Sequence, residues 1–192
     1  MPKTQPEKKR YVLFDRDGTI MVDKIYQTKP ELTELLPGAT QGLGRLAEAG
    51  FGLVVITNQS GIARGLLTER DLAAVHGRLE AMLAEAGIRL DGVYHCPHRP
   101  EDDCRCRKPL PGMAERAAAD LGFSLERCVV VGDRECDMEL AKGVGATAVL
   151  VRTGGGRETE ANGECQPDYV ADDLLDAAEW IINNAGERQK AK

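Results

Sequence analysis

Two aspartates one residue apart, Asp15 and Asp17, close an apolar run in Tyr11-Val12-Leu13-Phe14-Asp15-Arg16-Asp17-Gly18-Thr19. In an extended segment residues i and i+2 point the same way, and Gly18 then lets the chain turn sharply. Two carboxylates converging at a strand end make a hard, oxygen-rich site suited to Mg²⁺. One can also attack a phosphorus atom while the other moves a proton. Taken alone, such a pair usually reads as a solvated strand end, so the rest of the chain has to decide.

A second cluster occupies 96–106, where Cys96-Pro97-His98-Arg99-Pro100-Glu101-Asp102-Asp103-Cys104-Arg105-Cys106 gathers three thiols and an imidazole. A Cys-x-His pair and a Cys-x-Cys pair can wrap one tetrahedral soft ion, which points to Zn²⁺ on Cys96, His98, Cys104 and Cys106. His95 adjoins the first pair and is the alternative imidazole ligand. A Cys104–Cys106 disulfide would be strained, which favours metal over bridges. No open coordination position or nearby base is evident, so the zinc is read as structural. Its effect on catalysis is indirect, because Cys106 immediately precedes Arg107-Lys108 and the ion would stiffen the loop delivering both cations. Cys128, Cys136, Cys165 and His76 read as packing or surface residues.

Strands and helices alternate along the chain. Buried strands are expected at Tyr11 to Phe14, Phe51 to Ile56, Cys128 to Val131 and Thr147 to Val151, with shorter ones at Gly92 to His95 and Asp168 to Val170. Helices are expected at Pro37 to Ala49 with Leu43, Leu46 and Ala47 inward, at Glu69 to Ala86 behind a Thr68 N-cap, and at Gly112 to Leu121. Two more are expected at Met138 to Gly143 and at Asp172 to Asn183, the latter with Leu174, Leu175, Ala178 and Ile182 inward. The run Thr153-Gly154-Gly155-Gly156-Arg157 lacks a spaced glycine fingerprint and reads as a mobile loop. Repeated strand–helix units imply an α/β fold with a mainly parallel sheet covered on both faces and its ligand beyond the carboxyl ends of the strands. Asp15, Thr57 and Asp133 each follow a buried run, where this architecture puts chemistry.

The 192 residues suit one domain over 10–185, flanked by flexible tails at 1–9 and 186–192. Hydrophobic content of 42% with 29% charged residues predicts a folded globular chain rather than a disordered one. A net charge of −6 without a basic block argues against a nucleic-acid partner. No apolar stretch reads as a signal peptide or membrane span, so a cytoplasmic protein without membrane contact is expected.

The segments Phe14-Asp15-Arg16-Asp17-Gly18-Thr19-Ile20, Ile56-Thr57-Asn58-Gln59-Ser60-Gly61, Arg107-Lys108-Pro109 and Val131-Gly132-Asp133-Arg134 resemble, as a set, the four motifs of the haloacid-dehalogenase-type phosphatases. The resemblance spans about Tyr11 to Trp180 and implies that family's Rossmann-like fold. It implies that Asp15 is the nucleophile forming an aspartyl-phosphate and Asp17 the general acid and base. Thr57 would donate its hydroxyl to the phosphate and Lys108 would neutralise charge. Asp133, the Asp15 carboxylate and the Asp17 backbone carbonyl would hold Mg²⁺. Asp137 and Arg134 would support the site, Asp137 either through a metal-bound water or by orienting Lys108. The physics agrees, because phosphoryl transfer needs in-line positioning and charge compensation, and clustered carboxylates need cations.

The intervals between the motifs hold no separate cap domain, and an uncovered site suits a phosphate on a sizeable substrate. Two zinc-loop branches of the family share this capless body, one acting on D-glycero-D-manno-heptose 1,7-bisphosphate and one on histidinol phosphate. The stretches Thr57 to Gly65 and Leu150-Val151-Arg152-Thr153-Gly154 are more similar to the heptose branch. The short spacer between His98 and Cys104 is similar to the histidinol branch and to only some of the heptose branch. The resemblance thus implies a monomeric phosphatase removing the 7-phosphate of the heptose bisphosphate in nucleotide-activated heptose synthesis, with histidinol phosphate as the alternative. Asn58, Gln59 and Ser60 would contact substrate, and Arg107 and Arg64 would meet its second phosphate. A polynucleotide 3′-phosphatase is also similar around Thr57 to Gly65, but the acidic charge opposes it. A zinc-stabilised binding module is opposed by the intact Asp15, Asp17, Lys108 and Asp133 set.

Overall fold

The structure is a computed structural model that describes residues 9–184. Residues 1–8 and 185–192, which hold most of both expected tails and the last residue of the expected domain, lie outside it. Lys9, assigned to the first tail, has its ammonium 3.0 Å from Asp91.

The described strands form one parallel sheet of β1 (Tyr11–Phe14), β2 (Gly52–Asn58), β3 (Gly92–Cys96), β4 (Val129–Gly132), β5 (Thr147–Val151) and β6 (Tyr169–Ala171), in the order β3-β2-β1-β4-β5-β6. The chain starts at the centre, winds out through β2 and β3, and then crosses back over β1 to β4. The order therefore switches at β1, and its carboxyl end opens into the crevice where α/β sheets bind ligands.

Successive strand residues point to opposite faces. Val12, Phe14, Leu53, Val55, Val129, Val131, Val149 and Val151 pack with α1 (Ala39–Glu48), α2 (Glu69–Glu85) and α6 (Leu174–Asn184). Leu13, Val54, Ile56, Val130 and Leu150 pack on the other face with α3 (Gly112–Leu121) and α4 (Glu135–Gly143). The central strands are thus buried on both faces, which is why they read as unbroken apolar runs. No helix among the described residues is long and apolar enough to cross a membrane.

Helix α2 forms as its sequence dictates. Thr68 Oγ1 accepts the Asp71 N–H at 3.1 Å while the Asp71 carboxylate accepts the Thr68 N–H at 2.8 Å, a reciprocal capping box. Several expectations need correcting. Helix α1 begins at Ala39 with Gly38 as its N-cap, leaving Pro37 outside. Its buried stripe is Ala39, Gly42, Leu43 and Leu46, whereas Ala47 is exposed. In α6 the buried stripe is Leu174, Ala177, Ala178 and Ile181, while Leu175 and Ile182 are only half-buried. The two helices pack directly on each other, and that close approach selects their small residues, which hydrophobicity alone underweights. A Cβ added at Gly42 would stand 2.4 Å from the Leu174 carbonyl oxygen, a backbone atom that cannot swing away. Gly42→Ala is therefore expected to cost about 1–3 kcal/mol by overpacking, read as a lowered urea midpoint at unchanged slope.

Helix α4 starts three residues earlier than expected, so Asp137 sits in its first turn and accepts the Arg134 N–H at 3.2 Å. The glycine run at 153–157 is not a loose loop. It turns into an additional helix, α5 (Gly156–Asn162), and Gly154 and Gly155 press against Asp133. The segment between Gly18 and Gly38 folds back on the sheet, burying Ile20 and Met21, and no cap unit is inserted among the described residues.

Candidate active site

The switch in strand order brings the separated motifs together. The Asp15 N–H donates to the Val131 carbonyl at 2.9 Å, which continues β1 beside β4 and sets Asp15 near Asp133. Lys108 reaches in from the loop after β3 and is almost fully buried. Its ammonium lies 2.7 Å from Asp15 Oδ1, 2.7 Å from Asp137 Oδ1 and 2.9 Å from the Ile56 carbonyl. The contacts to Asp15 and Ile56 are hydrogen bonds and that to Asp137 is an ion pair. Burial alone would lower the Lys108 pKa, but Asp137 and Asp15 outweigh it and hold the group cationic. Asp137 thus lies within ion-pair distance of Lys108 and also within the carboxylate group around the possible metal position.

The Lys108 backbone is fixed as firmly as its tip. Asn58 Nδ2 donates to the Lys108 carbonyl at 3.2 Å, and Asn58 Oδ1 accepts the Lys108 N–H at 3.1 Å. Both ends of the Asn58 amide are thereby engaged with protein. Gln59 Nε2 donates to Thr57 Oγ1 at 2.9 Å and to Asp17 Oδ2 at 2.8 Å. With one lone pair so occupied, the Thr57 hydroxyl keeps its proton to donate, as a phosphate-binding group requires.

Asp133 is buried, and its Oδ2 accepts the Gly155 N–H at 2.7 Å. Its Oδ1 is buried with no hydrogen-bond partner among the described residues. Burial, reinforced by the nearby Asp15 charge, pushes the Asp133 carboxyl up to about 7. An orphaned carboxylate oxygen beside a second carboxylate is a cation's position, and the all-oxygen donor set fits Mg²⁺. Oxygens of Asp15, Asp133 and Asp137 lie within 4.8 Å of one another. All three carboxylates are thus placed around one possible cation position, and Lys108 pairs with two of them, Asp15 and Asp137. A Cβ at Gly18, where φ is +82°, would stand 2.4 Å from Asp133 Oδ2, so glycine is required there.

The raised pKa has a sign that can be tested. A carboxyl raised above its unfolded value favours the protonated fold. The stabilisation is therefore full below the ordinary carboxylate range and is lost as pH rises through about 7. Magnesium reverses this by stabilising the ionised form. The thermal shift on adding Mg²⁺ is expected to be larger at pH 8 than at pH 5.5, and a pH-independent shift would contradict the site.

The pocket over these groups has a volume of about 290 Å³ and is lined by Asp15, Asp17, Thr57, Ser60, Arg107 and Lys108 among others. Arg134 also borders it, with Nε 3.4 Å from Asp133 Oδ2. Arg64 is exposed and is not among the lining residues. Sequence reasoning missed Arg16, whose guanidinium forks the Asp17 carboxylate, with Nη2 at 2.8 Å from Oδ2. A cation between two carboxylates at a buried strand end was the available signal. It also missed the loop from Asp23 to Gln27 at the pocket rim, where Ile25 and Tyr26 adopt positive φ. No periodicity marks that loop.

The second cluster is also assembled. Cys96, His98, Cys104 and Cys106 place their ligand atoms within 4.8 Å of one another, and all six cysteines are free. Sγ separations are 2.9 Å for Cys96–Cys106 and 3.6 Å for Cys96–Cys104 and Cys104–Cys106. Zinc–thiolate bonds of about 2.3 Å give tetrahedral edges of roughly 3.8 Å, so the cage suits one zinc. His95 lies outside this cluster, and its Nε2 pairs with Glu69 at 3.0 Å. Arg107 Nη1 donates to the His98 carbonyl at 3.3 Å, which ties the zinc loop to the pocket.

Residues 105–177 match the Hydrolase_like family, described as HAD-hyrolase-like. The chain is 40% identical over 179 residues to a D-glycero-beta-D-manno-heptose-1,7-bisphosphate 7-phosphatase from Yersinia pestis, covering 88% of this chain and 94% of that one. It is 40% identical over 174 residues to the enzyme of the same name from Pseudomonas putida, covering 90% and 99%. A crystal structure of D,D-heptose 1.7-bisphosphate phosphatase from B. bronchiseptica, complexed with magnesium and phosphate, superposes with a TM-score of 0.86. That pair is 37% identical and the match covers 91% of this chain and 99% of the other.

Proposed function

Because the chain belongs to the D-glycero-D-manno-heptose-1,7-bisphosphate 7-phosphatase family of haloacid-dehalogenase-like hydrolases, we propose that it removes the 7-phosphate of that sugar bisphosphate through an aspartyl-phosphate on Asp15. The observation that supports this reading most directly is the Asp15 carboxylate held 2.7 Å from a buried Lys108, with the partnerless Asp133 oxygen beside it. A carboxylate so restrained keeps one oxygen aimed at an incoming phosphorus.

The residues divide the work. Asp15 attacks in line, and its new bond to phosphorus forms as the bond to the sugar oxygen breaks. Asp17 gives that oxygen a proton, then takes one from the water that displaces phosphate from Asp15, so the enzyme returns to its starting state. Burial raises the Asp17 pKa against the pull of Arg16, the direction that favours its acid form. Thr57 and Lys108 bind the transferring oxygens, and Arg107 meets the second phosphate from the pocket wall. Mg²⁺, held by Asp15, Asp133 and the Asp17 backbone carbonyl, supplies Lewis-acid charge compensation. Cys96, His98, Cys104 and Cys106 would hold zinc, which would stiffen the loop that carries Arg107 and Lys108.

On this reading the protein is a single-domain, cytoplasmic monomer that supplies heptose 1-phosphate to nucleotide-activated heptose and lipopolysaccharide synthesis, without nucleic-acid or membrane partners. A comparison of kcat/KM for the heptose bisphosphate and for histidinol phosphate tests the substrate. At least about 100-fold preference for the bisphosphate is expected, because histidinol phosphate leaves Arg107 without an anion, a loss worth roughly 3 kcal/mol. A preference for histidinol phosphate would reverse the assignment.

A further inference from the structure

The turn after β5 touches Asp133 more closely than a connecting loop needs to. Thr153 Oγ1 donates to the Gly18 carbonyl at 2.7 Å, and the Gly155 N–H donates to Asp133 Oδ2 at 2.7 Å. The hydroxyl of the buried Thr159, on α5, lies 2.9 Å from the Asp133 carbonyl, its nearer acceptor, and 3.2 Å from the Gly155 carbonyl. Gly154 fills the space between these contacts, since a Cβ there would stand 2.4 Å from Asp133 Oδ2 and 2.5 Å from the Gly18 Cα. The stretch is itself anchored at both ends. Arg152 Nε and Nη2 each lie 2.7 Å from the Glu160 carboxylate on α5, and Nη1 lies 2.7 Å from Asp172, just beyond β6. One short stretch, 152–160, therefore fixes both a main-chain and a side-chain oxygen of Asp133.

We propose that this stretch is a clasp that aims Asp133 at the cation, with Thr159 and Thr153 as positioning residues. Asp133 Oδ2 is occupied by the Gly155 N–H and faces the Arg134 Nε at 3.4 Å, whereas Oδ1 is buried without a hydrogen-bond partner among the described residues. The occupied oxygen fixes the rotation of the carboxylate, so the partnerless one is left for a metal. Thr159 holds the Asp133 main chain at the same time, which leaves neither backbone nor side chain free to turn away. Thr153 ties the stretch to Gly18, the residue after Asp17, whose carbonyl is the main-chain donor assigned to the same ion. The halves of the metal site that come from β1 and β4 are thus set against each other through the turn after β5 as well as through the sheet. The proposal rests on Asp133 being a magnesium ligand.

The test titrates Mn²⁺, which takes the same oxygen ligands as Mg²⁺, into the full-length protein and reads the free ion by its electron paramagnetic resonance signal. The fitted number of sites reports the folded fraction and the dissociation constant reports the site, so a variant that folds poorly is still informative. Asp133→Asn should weaken binding by at least about 100-fold, more than the loss of an orienting group does. Thr159→Val removes the hydroxyl at nearly constant shape and should weaken binding by about 10-fold, as should Thr153→Val. Thr159→Ser, which keeps the hydroxyl, should return the constant to near the parent value. Gly42→Ala, which crowds the contact between α1 and α6 instead, should lower stability without changing the affinity for Mn²⁺. If Asp133→Asn binds Mn²⁺ as the parent does, the ligand assignment and the clasp fall together. If Asp133→Asn loses the ion while Thr159→Val and Thr153→Val keep it at parental affinity, the clasp is overturned alone. Equal weakening in Gly42→Ala, or no recovery in Thr159→Ser, would also overturn it, because the effect would then follow general destabilisation rather than the hydroxyl.

Discussion

Asp15→Asn is expected to reduce kcat by roughly 10⁴-fold or more while leaving the protein folded. The side chain keeps its size and one oxygen, so the 2.7 Å contact from Lys108 has an acceptor to retain. What disappears is the nucleophile, because an amide does not form the acyl-phosphate on which the second half of the reaction depends. Stability should change little, since two effects oppose each other. The variant relieves the repulsion between Asp15 and Asp133, which helps to raise the Asp133 pKa. It also removes one of the two carboxylates that hold Lys108 cationic. A thermal melt within a few degrees of the parent, together with loss of turnover on both the heptose bisphosphate and p-nitrophenyl phosphate, is the expected pair of results. Near-normal turnover would remove Asp15 from the mechanism, and a collapsed fold would show that Lys108 needs both counterions.

The sheet was legible because its central strands are buried on both faces and so leave continuous apolar runs, as in Val129 to Val131 and Thr147 to Val151. The chemistry was legible because it sits where those runs stop. Asp15, Thr57 and Asp133 need only the parallel order of β2, β1 and β4 to come together. The Cys/His cluster was legible for a different reason, since its four residues lie within one short loop and need no long-range information. What escaped the sequence depends on tertiary contacts. The stripes of α1 and α6 are rotated toward Gly42 and Ala177 because two helices meet there, and no single-helix pattern records the partner. Helix α5 follows a glycine run whose local preference is for turns, but Gly155 is drawn to Asp133 by a 2.7 Å hydrogen bond that no local window contains.

Removing zinc is expected to do more damage to the fold than removing magnesium, although magnesium would act at the reacting phosphate. Structural zinc sites contribute folding free energy outright, about 10–16 kcal/mol in isolated zinc-finger peptides. Here the sheet supports much of the fold without the loop, so a fall of about 5 kcal/mol is expected. At 2–4 °C per kcal/mol for a chain of this size, that corresponds to a Tm roughly 10–20 °C lower. Cys106→Ser isolates the effect from chelator side reactions, because the other three ligands remain and one thiolate is lost. The loss should spread to catalysis by a defined route. Cys106 is followed directly by Arg107 and Lys108, Arg107 is tied to the His98 carbonyl at 3.3 Å, and Lys108 is the cation on Asp15. The variant assayed at low temperature under saturating Mg²⁺ should therefore show both a raised KM, from Arg107, and a lowered kcat, from Lys108. Magnesium depletion should abolish turnover but move Tm only slightly at pH 6, where the raised Asp133 carboxyl is largely protonated. Zinc-free protein with an unchanged Tm, or purified protein without bound zinc, would overturn the loop assignment. A lowered Tm with unchanged kcat and KM would keep the zinc but sever its link to the phosphate pocket.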